Sequence, residues 1–241
     1  MFGAGVLAGV AGTAGGITSL VSYPALLAVG LAPFPATLVN SVAVVTCWPG
    51  SALASQRELK GKGRWVLRWS LLAAIGGVIG ATLLLSTPAG DFRKVVPFLL
   101  LIAAVALLLQ PKLSAWQDRR VARQSSFVLP CGLFALSLYN GYFGAGSGVM
   151  TLALLLFTVD QDMARANALK NMLIGAGTVV AAVVFVVFGH VEWAAVVPLG
   201  IGMFIGSTIG PRVARRLPSN VLRWLVALAG LGLAVRLWVS G

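Results

Sequence analysis

Hydrophobic residues run along this chain in long unbroken stretches, and polar residues gather in short clusters between them. Eight apolar segments result, at approximately 3–28, 33–56, 65–86, 92–110, 126–158, 164–189, 193–211 and 218–239. Continuous apolar runs of about 20 residues, with no alternation of period two, predict membrane-spanning helices rather than barrel strands. Six of the eight are plain spans, long enough for a hydrocarbon core ~30 Å thick. Pro33 and Pro35 open the second segment and Pro218 the eighth, positions where proline suits a helix start. Trp65, Trp69, Trp116, Trp193 and Trp224 lie near segment ends, as an interfacial aromatic belt requires.

The first and fifth segments are broken by glycine. The fifth runs from Ser126 to Asn140, is interrupted over Gly141 to Gly148 and resumes from Val149 to Val159. Its arms, of roughly 22 and 16 Å as helices, are each too short to span. The first carries a matching break, Gly12-Thr13-Ala14-Gly15-Gly16, and the likeness continues. Ala36 to Ser41 answers Ala166 to Asn171, and Trp65 answers Trp193. Gly76-x3-Gly80-Ala81-Thr82 answers Gly202-x3-Gly206-Ser207-Thr208, and Pro88-x4-Arg93 answers Pro218-x4-Arg223. Duplicated apolar halves with glycine breaks at equivalent places point to a transporter whose site lies between its repeats.

Composition agrees with the bilayer as solvent: 59% of the 241 residues are hydrophobic and only 10% charged, against about 25% charged in a soluble domain. The formal net charge of +12 comes from basic residues in short loops, where they set orientation. No recognition motif or aromatic-basic stripe accompanies them, so nucleic acid is not an expected partner. With Arg57, Lys60, Lys62, Arg64 and Arg68 placed in the cytoplasm, the loop of Lys112, Arg119, Arg120 and Arg123 falls on the same side. If the fifth segment is re-entrant, Arg165, Lys170, Arg212, Arg215, Arg216 and Arg223 join them, leaving only Arg93, Lys94 and Arg236 outside. The positive-inside bias thus favours an all-α polytopic protein of two inverted halves, each a re-entrant hairpin plus three spans. The expected division is a first repeat 1–110, a basic cytoplasmic linker 111–125 and a second repeat 126–241. The first apolar stretch has no positive region before it, so residues 1–28 are read as mature structure rather than a cleaved signal.

Broken helices in lipid leave backbone groups without water and persist only when buried in protein or lining a cavity. The second arm of each hairpin then starts near the midplane with unpaired N–H groups and a positive dipole end. Two such starts, near Gly15, Gly16, Thr18 and Ser19 and near Gly146, Ser147, Gly148 and Thr151, would suit an anion. Asn140 precedes the second break. Asn40 and Ser41 correspond to Lys170 and Asn171, each pair about 10 Å into its segment. A charge at that depth usually marks a pathway, although a lysine stem can also snorkel to the interface. The other reading of the break glycines is tight helix packing, which is preferred for Gly76, Gly80, Gly202 and Gly206. All six acidic residues fall in loops or at segment ends, and His190 stands alone beside Glu192. Cys47 and Cys131 have neither metal nor disulfide spacing. No catalytic constellation, metal site or cofactor motif is present, so an enzyme is not expected.

These residues resemble the sulfite exporter TauE/SafE family of bacterial membrane proteins over almost the whole chain. The likeness is carried by Gly12 to Gly16 with Tyr23-Pro24-Ala25-Leu26, by Gly30-Leu31-Ala32-Pro33, by Asn140-Gly141-Tyr142-Phe143-Gly144, by Ala164 to Asn171 and by Gly206 to Arg216. The resemblance implies two halves around a central pathway and the movement of sulfite, sulfonates or related organosulfur anions, mostly outward. The expected partners are a small anionic substrate and the lipid bilayer, in a bacterial inner membrane. A homodimer is compatible with the chain but required by no feature. An uptake carrier, a channel-like pore and a membrane scaffold without transport are the alternatives.

Overall fold

Proline and glycine set where the helices begin and end. The computed structural model describes residues 1–117 and 127–214, and these form ten helices and no strand. They are α1 (Phe2–Gly15), α2 (Thr18–Ala28), α3 (Pro33–Val44), α4 (Cys47–Ala54), α5 (Gly63–Ser86), α6 (Ala89–Gln117), α7 (Val128–Tyr142), α8 (Ser147–Thr158), α9 (Met163–Phe188) and α10 (Trp193–Ala214). Pro33 fills the first turn of α3 after an extended Ala32, where its missing N–H costs nothing. Asp162 caps α9 by accepting from the Ala164 amide at 2.9 Å. Gly16, at φ 71°, ends α1 in the left-handed region while its amide donates to the Gly12 carbonyl. That conformation is available to glycine at little cost.

Four helical stretches are long and apolar enough to cross a membrane: Pro33–Leu53, Gly63–Ser86, Ala89–Leu109 and Met163–Phe188. The paired helices α1/α2 and α7/α8 are shorter. With 14, 11, 15 and 12 residues, they reach roughly 21, 16, 22 and 18 Å at 1.5 Å per residue. The later break falls within the expected stretch, whereas the earlier one falls at the very end of it: α1 stays helical through Gly12 to Gly15 and stops only at Gly16 and Ile17. The second arm of the later pair starts two residues earlier than expected, at Ser147. The eighth apolar segment, 218–239, and most of the linker lie outside the described residues, and α6 runs on to Gln117.

The stretch 33–56, expected as a plain span, is not uniform. Between α3 and α4 the ladder tightens: the amides of Val45, Thr46 and Trp48 donate to carbonyls three residues back. Pro49 accounts for the last of these. A proline four residues after Val45 brings no N–H to that carbonyl and its ring crowds it, so the Val45 oxygen takes the Trp48 amide at 3.1 Å instead.

Small residues face inward and large ones outward. On α5 the buried positions are Ala73, Gly76, Gly77, Gly80, Ala81 and Leu84. Leu67, Leu71, Ile75, Ile79 and Leu83, spaced by four, are exposed. On α10 Val197, Ile201, Ile205 and Ile209 repeat the exposed stripe. Hydrocarbon offers no force to bury leucine, so helices associate by close backbone approach at small residues. Gly5 and Gly9 of α1 lie against the backbone of α10, and Gly202 and Gly206 of α10 against α1. Gly76 and Gly80 of α5 meet α7 at Phe134, Ser137, Leu138 and Gly141, while Gly77 lies between Gly141 of α7 and Gly177 of α9. The Gly-x3-Gly pairs thus serve helix packing.

Phe92 of α6 is fully buried and edge-on to Phe34 and Tyr142, both at 5.8 Å between centroids. Tyr23 meets Phe143 edge-on at 5.2 Å. This cluster, each pair contributing about 0.5–1.5 kcal/mol beyond its burial, fixes α2, α3 and α6 around the α7/α8 break.

Candidate anion site

The two breaks meet. A Cβ on Gly148 would collide with the backbone of Gly16, and one on Gly16 would lie 3.0 Å from the Gly148 carbonyl carbon. Only two glycines permit that approach. Gly144 and Gly146, at φ 81° and 78°, turn the chain from α7 into α8. Neither α2 nor α8 has a side-chain cap at its start, so each presents amides and a positive dipole end to whatever lies in front.

A cavity of about 80 Å³ lies there, several times the space one water needs. Gly16, Thr18 and Ser19 contribute from the first break, Asn140, Ser147 and Gly148 from the second, and Lys170 and Asn171 from α9. Eight of the residues expected from sequence therefore share one cavity.

The other five lie just outside the lining. Asn40 is buried on α3 and holds α2: its Oδ1 accepts from Ser22 Oγ and its Nδ2 donates to Ser19 Oγ at 3.0 Å. Ser41 and Thr151 are buried in α3 and α8. Gly146 backs onto Ala103 of α6, and Gly15 is the last residue of α1.

Among the described residues lining the cavity Lys170 is the cation, and it is only 1% exposed. Its Nζ donates to Asn167 Oδ1 at 2.7 Å, and Asn167 Nδ2 reaches the Thr13 carbonyl at 3.5 Å. No carboxylate pairs with Lys170 among the described residues. Arg165, one turn earlier, is exposed and sits 3.7 Å from both Asp160 and Asp162, so it belongs to the surface. A Cβ on Gly16 would come within 3.1 Å of Lys170 Nζ; the glycine leaves the ammonium its room at the break. A charge this buried is costly without a counter-charge, and none of the described residues lining the cavity supplies one.

Asn140 organises the opposite wall. Its Nδ2 donates to Thr178 Oγ1 at 3.0 Å and its Oδ1 accepts from Ser147 Oγ at 2.7 Å. One side chain so ties α7, α8 and α9 together. Tyr139 Oη, bonded to the Ala145 carbonyl at 2.7 Å, braces the same turn.

Sequence reasoning missed the wall supplied by the tightened turn, Val44, Val45, Cys47, Trp48 and Ser51. Pro49, in the interior of a helical stretch, was the available signal. It also missed Ile174, Gly175 and Thr178, which continue the face of α9 that begins at Lys170 and Asn171, at steps of four and eight. Gly12, Thr13 and Gly144 complete the lining and lie within or beside the two glycine stretches.

Comparison with known proteins accords with this architecture. The sulfite exporter TauE/SafE family matches residues 1–237. The chain is 26% identical to the probable membrane transporter protein ORF9 of a Sinorhizobium species, over 98% of this chain and 90% of that one. It is 25% identical to the probable membrane transporter protein YfcA of Escherichia coli K12, over 98% and 88%. A probable membrane transporter protein of Haemophilus influenzae is 27% identical, over 95% and 89%. No solved structure gives a significant match. With a family match that spans nearly every residue and a helical architecture of apolar spans, the chain belongs to the sulfite exporter TauE/SafE family of membrane transporters, not to the enzymes.

Proposed function

We propose that the protein is a secondary carrier that exports small sulfur-containing anions, such as sulfite or an organic sulfonate, as a multi-pass protein of the bacterial inner membrane. The substrate site is the cavity between the α1/α2 and α7/α8 breaks. One observation carries this reading: Lys170 is buried, has one neutral partner and faces a cavity fronted by two uncapped helix starts. Such a place favours an oxyanion, which brings the missing charge and accepts hydrogen bonds from all of these donors. The family description supports the choice of sulfur anions.

The two halves are read as inverted repeats of a hairpin and three spans. The reciprocal packing supports this: α1 of the first half lies on α10 of the second, and α7 of the second on α5 of the first. Rocking of one half against the other would expose the cavity to each side in turn. Outward movement follows from charge. With the cytoplasm negative, each anionic charge leaving gains ~2.3 kcal/mol per 100 mV, so export needs no proton relay, and no carboxylate lines the cavity among the described residues.

The test is flux from proteoliposomes loaded with radiolabelled sulfite or propane-1-sulfonate. Saturable efflux accelerated by a membrane potential, positive on the receiving side, is expected. Single-channel currents would make the protein a pore, and accumulation strictly dependent on a proton or sodium gradient would make it an importer. Absence of flux for every sulfur anion would remove the reading.

A further inference from the structure

Trp48 lines the cavity and carries a buried hydrogen-bond donor that no described residue uses. Its indole is delivered by the turn that Pro49 tightens, and it lies on Gly175 of α9, where a Cβ would collide with the indole's Cδ1, Nε1 and Cγ. The position is built: one residue without a side chain makes room for the largest side chain there is. Yet Nε1 is buried and has no partner among the described residues. Buried donors are nearly always paired, and an indole nitrogen can only donate. Lys170, five residues before Gly175 on the same helix, uses one of its three ammonium donors, on Asn167. The two residues therefore hold unspent donors, and among the described residues no carboxylate lines the cavity they share.

We propose that Trp48 Nε1–H donates directly to the transported anion, and that Trp48 and Lys170 together select sulfur oxyanions bearing no ammonium group. This rests on the cavity being the transport site and adds to it a specificity. An aminosulfonate would carry its own ammonium into a space that already holds Lys170, where like charges repel and N–H groups face N–H groups. An alkylsulfonate of the same size offers acceptors at its head and an apolar tail for Val44, Val45 and Ile174.

Two isosteric probes test it, propane-1-sulfonate and 2-aminoethanesulfonate, which differ by a methyl in place of an ammonium. Binding to the whole protein is read in detergent by calorimetry, and transport separately in liposomes. Propane-1-sulfonate is expected to bind at least tenfold tighter; equal or tighter binding of 2-aminoethanesulfonate overturns the selectivity. Trp48→Phe keeps an aromatic ring and removes the donor. It should weaken propane-1-sulfonate roughly tenfold or more, the effect of losing a hydrogen bond to a charged group, while its melting temperature without ligand is unchanged or raised. A space-filling Trp48 would show the reverse, with affinity retained and melting lowered, and that result overturns the proposal. Should the variant fail to fold, the indole N–H Raman band of the wild-type protein decides: a shift on adding propane-1-sulfonate supports the contact, and an unmoved band refutes it. Absence of binding by either probe overturns it as well. A protein that binds propane-1-sulfonate selectively but moves no sulfur anion would end the carrier reading and leave the Trp48 assignment standing.

Discussion

At the scale of single residues, the site is a set of donors held by neighbours that have already been satisfied. Asn40 and Asn140 spend their amides on Ser19, Ser22, Ser147 and Thr178, while Lys170 keeps donors in reserve. Lys170→Met should therefore separate binding from folding. The variant retains an apolar stem with good helix propensity, and loses a buried charge that the fold itself does not neutralise. Transport of a sulfur anion is expected to fall by about tenfold to a hundredfold, the range for a lost charged hydrogen bond. Its melting temperature in detergent should hold or rise. Lys170→Arg should keep part of the activity, since the charge stays and its geometry changes. Normal flux through the Met variant would make Lys170 an anchor and nothing more. Lys170 was legible in the sequence because a charge in an apolar run is rare. Trp48 was not, because an indole in an apolar run looks like any other large side chain until its neighbours in space are known.

At the scale of elements, glycine and proline carry most of the information. The breaks at Gly16 and Gly144–Gly146 were visible as glycine clusters in otherwise continuous apolar runs. The hitch at Val45 was not, since Pro33 and Pro35 drew attention to the start of that segment while Pro49 acts deep within it. Pro49→Ala should restore the four-residue ladder and turn Trp48 away from the cavity. Loss of transport with unchanged or higher thermal stability is the expected pattern, because the substitution returns a backbone hydrogen bond. A variant as active as the parent would show that the hitch has no bearing on the site. The packing glycines predict the opposite pattern. Gly206→Val places methyl groups where the backbone of Val6 and Val10 already lies. A cost of about 1–3 kcal/mol or more should appear as a lowered melting temperature and reduced yield, with no selective effect on substrate affinity.

At the scale of the whole molecule, the membrane class was legible because composition leaves no other solvent for these surfaces. What the sequence could not convey is which helix touches which, such as α1 on α10 and α5 on α7. The inverted reading predicts that single cysteines in the 57–64 and 212–216 segments, on a background lacking Cys47 and Cys131, are labelled by an impermeant maleimide from the same face of the membrane. Labelling from opposite faces would restore eight simple crossings. The lodging of α1 on α10 also governs how the chain is made. Synthesis at about 5–20 residues per second puts roughly ten to forty seconds between completion of α1 at Gly15 and the appearance of Trp193. Throughout that interval Gly5 and Gly9 lack the backbone they are shaped to meet. The nascent α1 must wait, sheltered by the insertion machinery or by lipid, until α10 supplies its counterpart. A protein whose first helix lodges on one made this much later cannot finish packing that helix early. Its biogenesis is a closing step, and quality control that recognises an unclasped α1 would detect any chain that stops before α10.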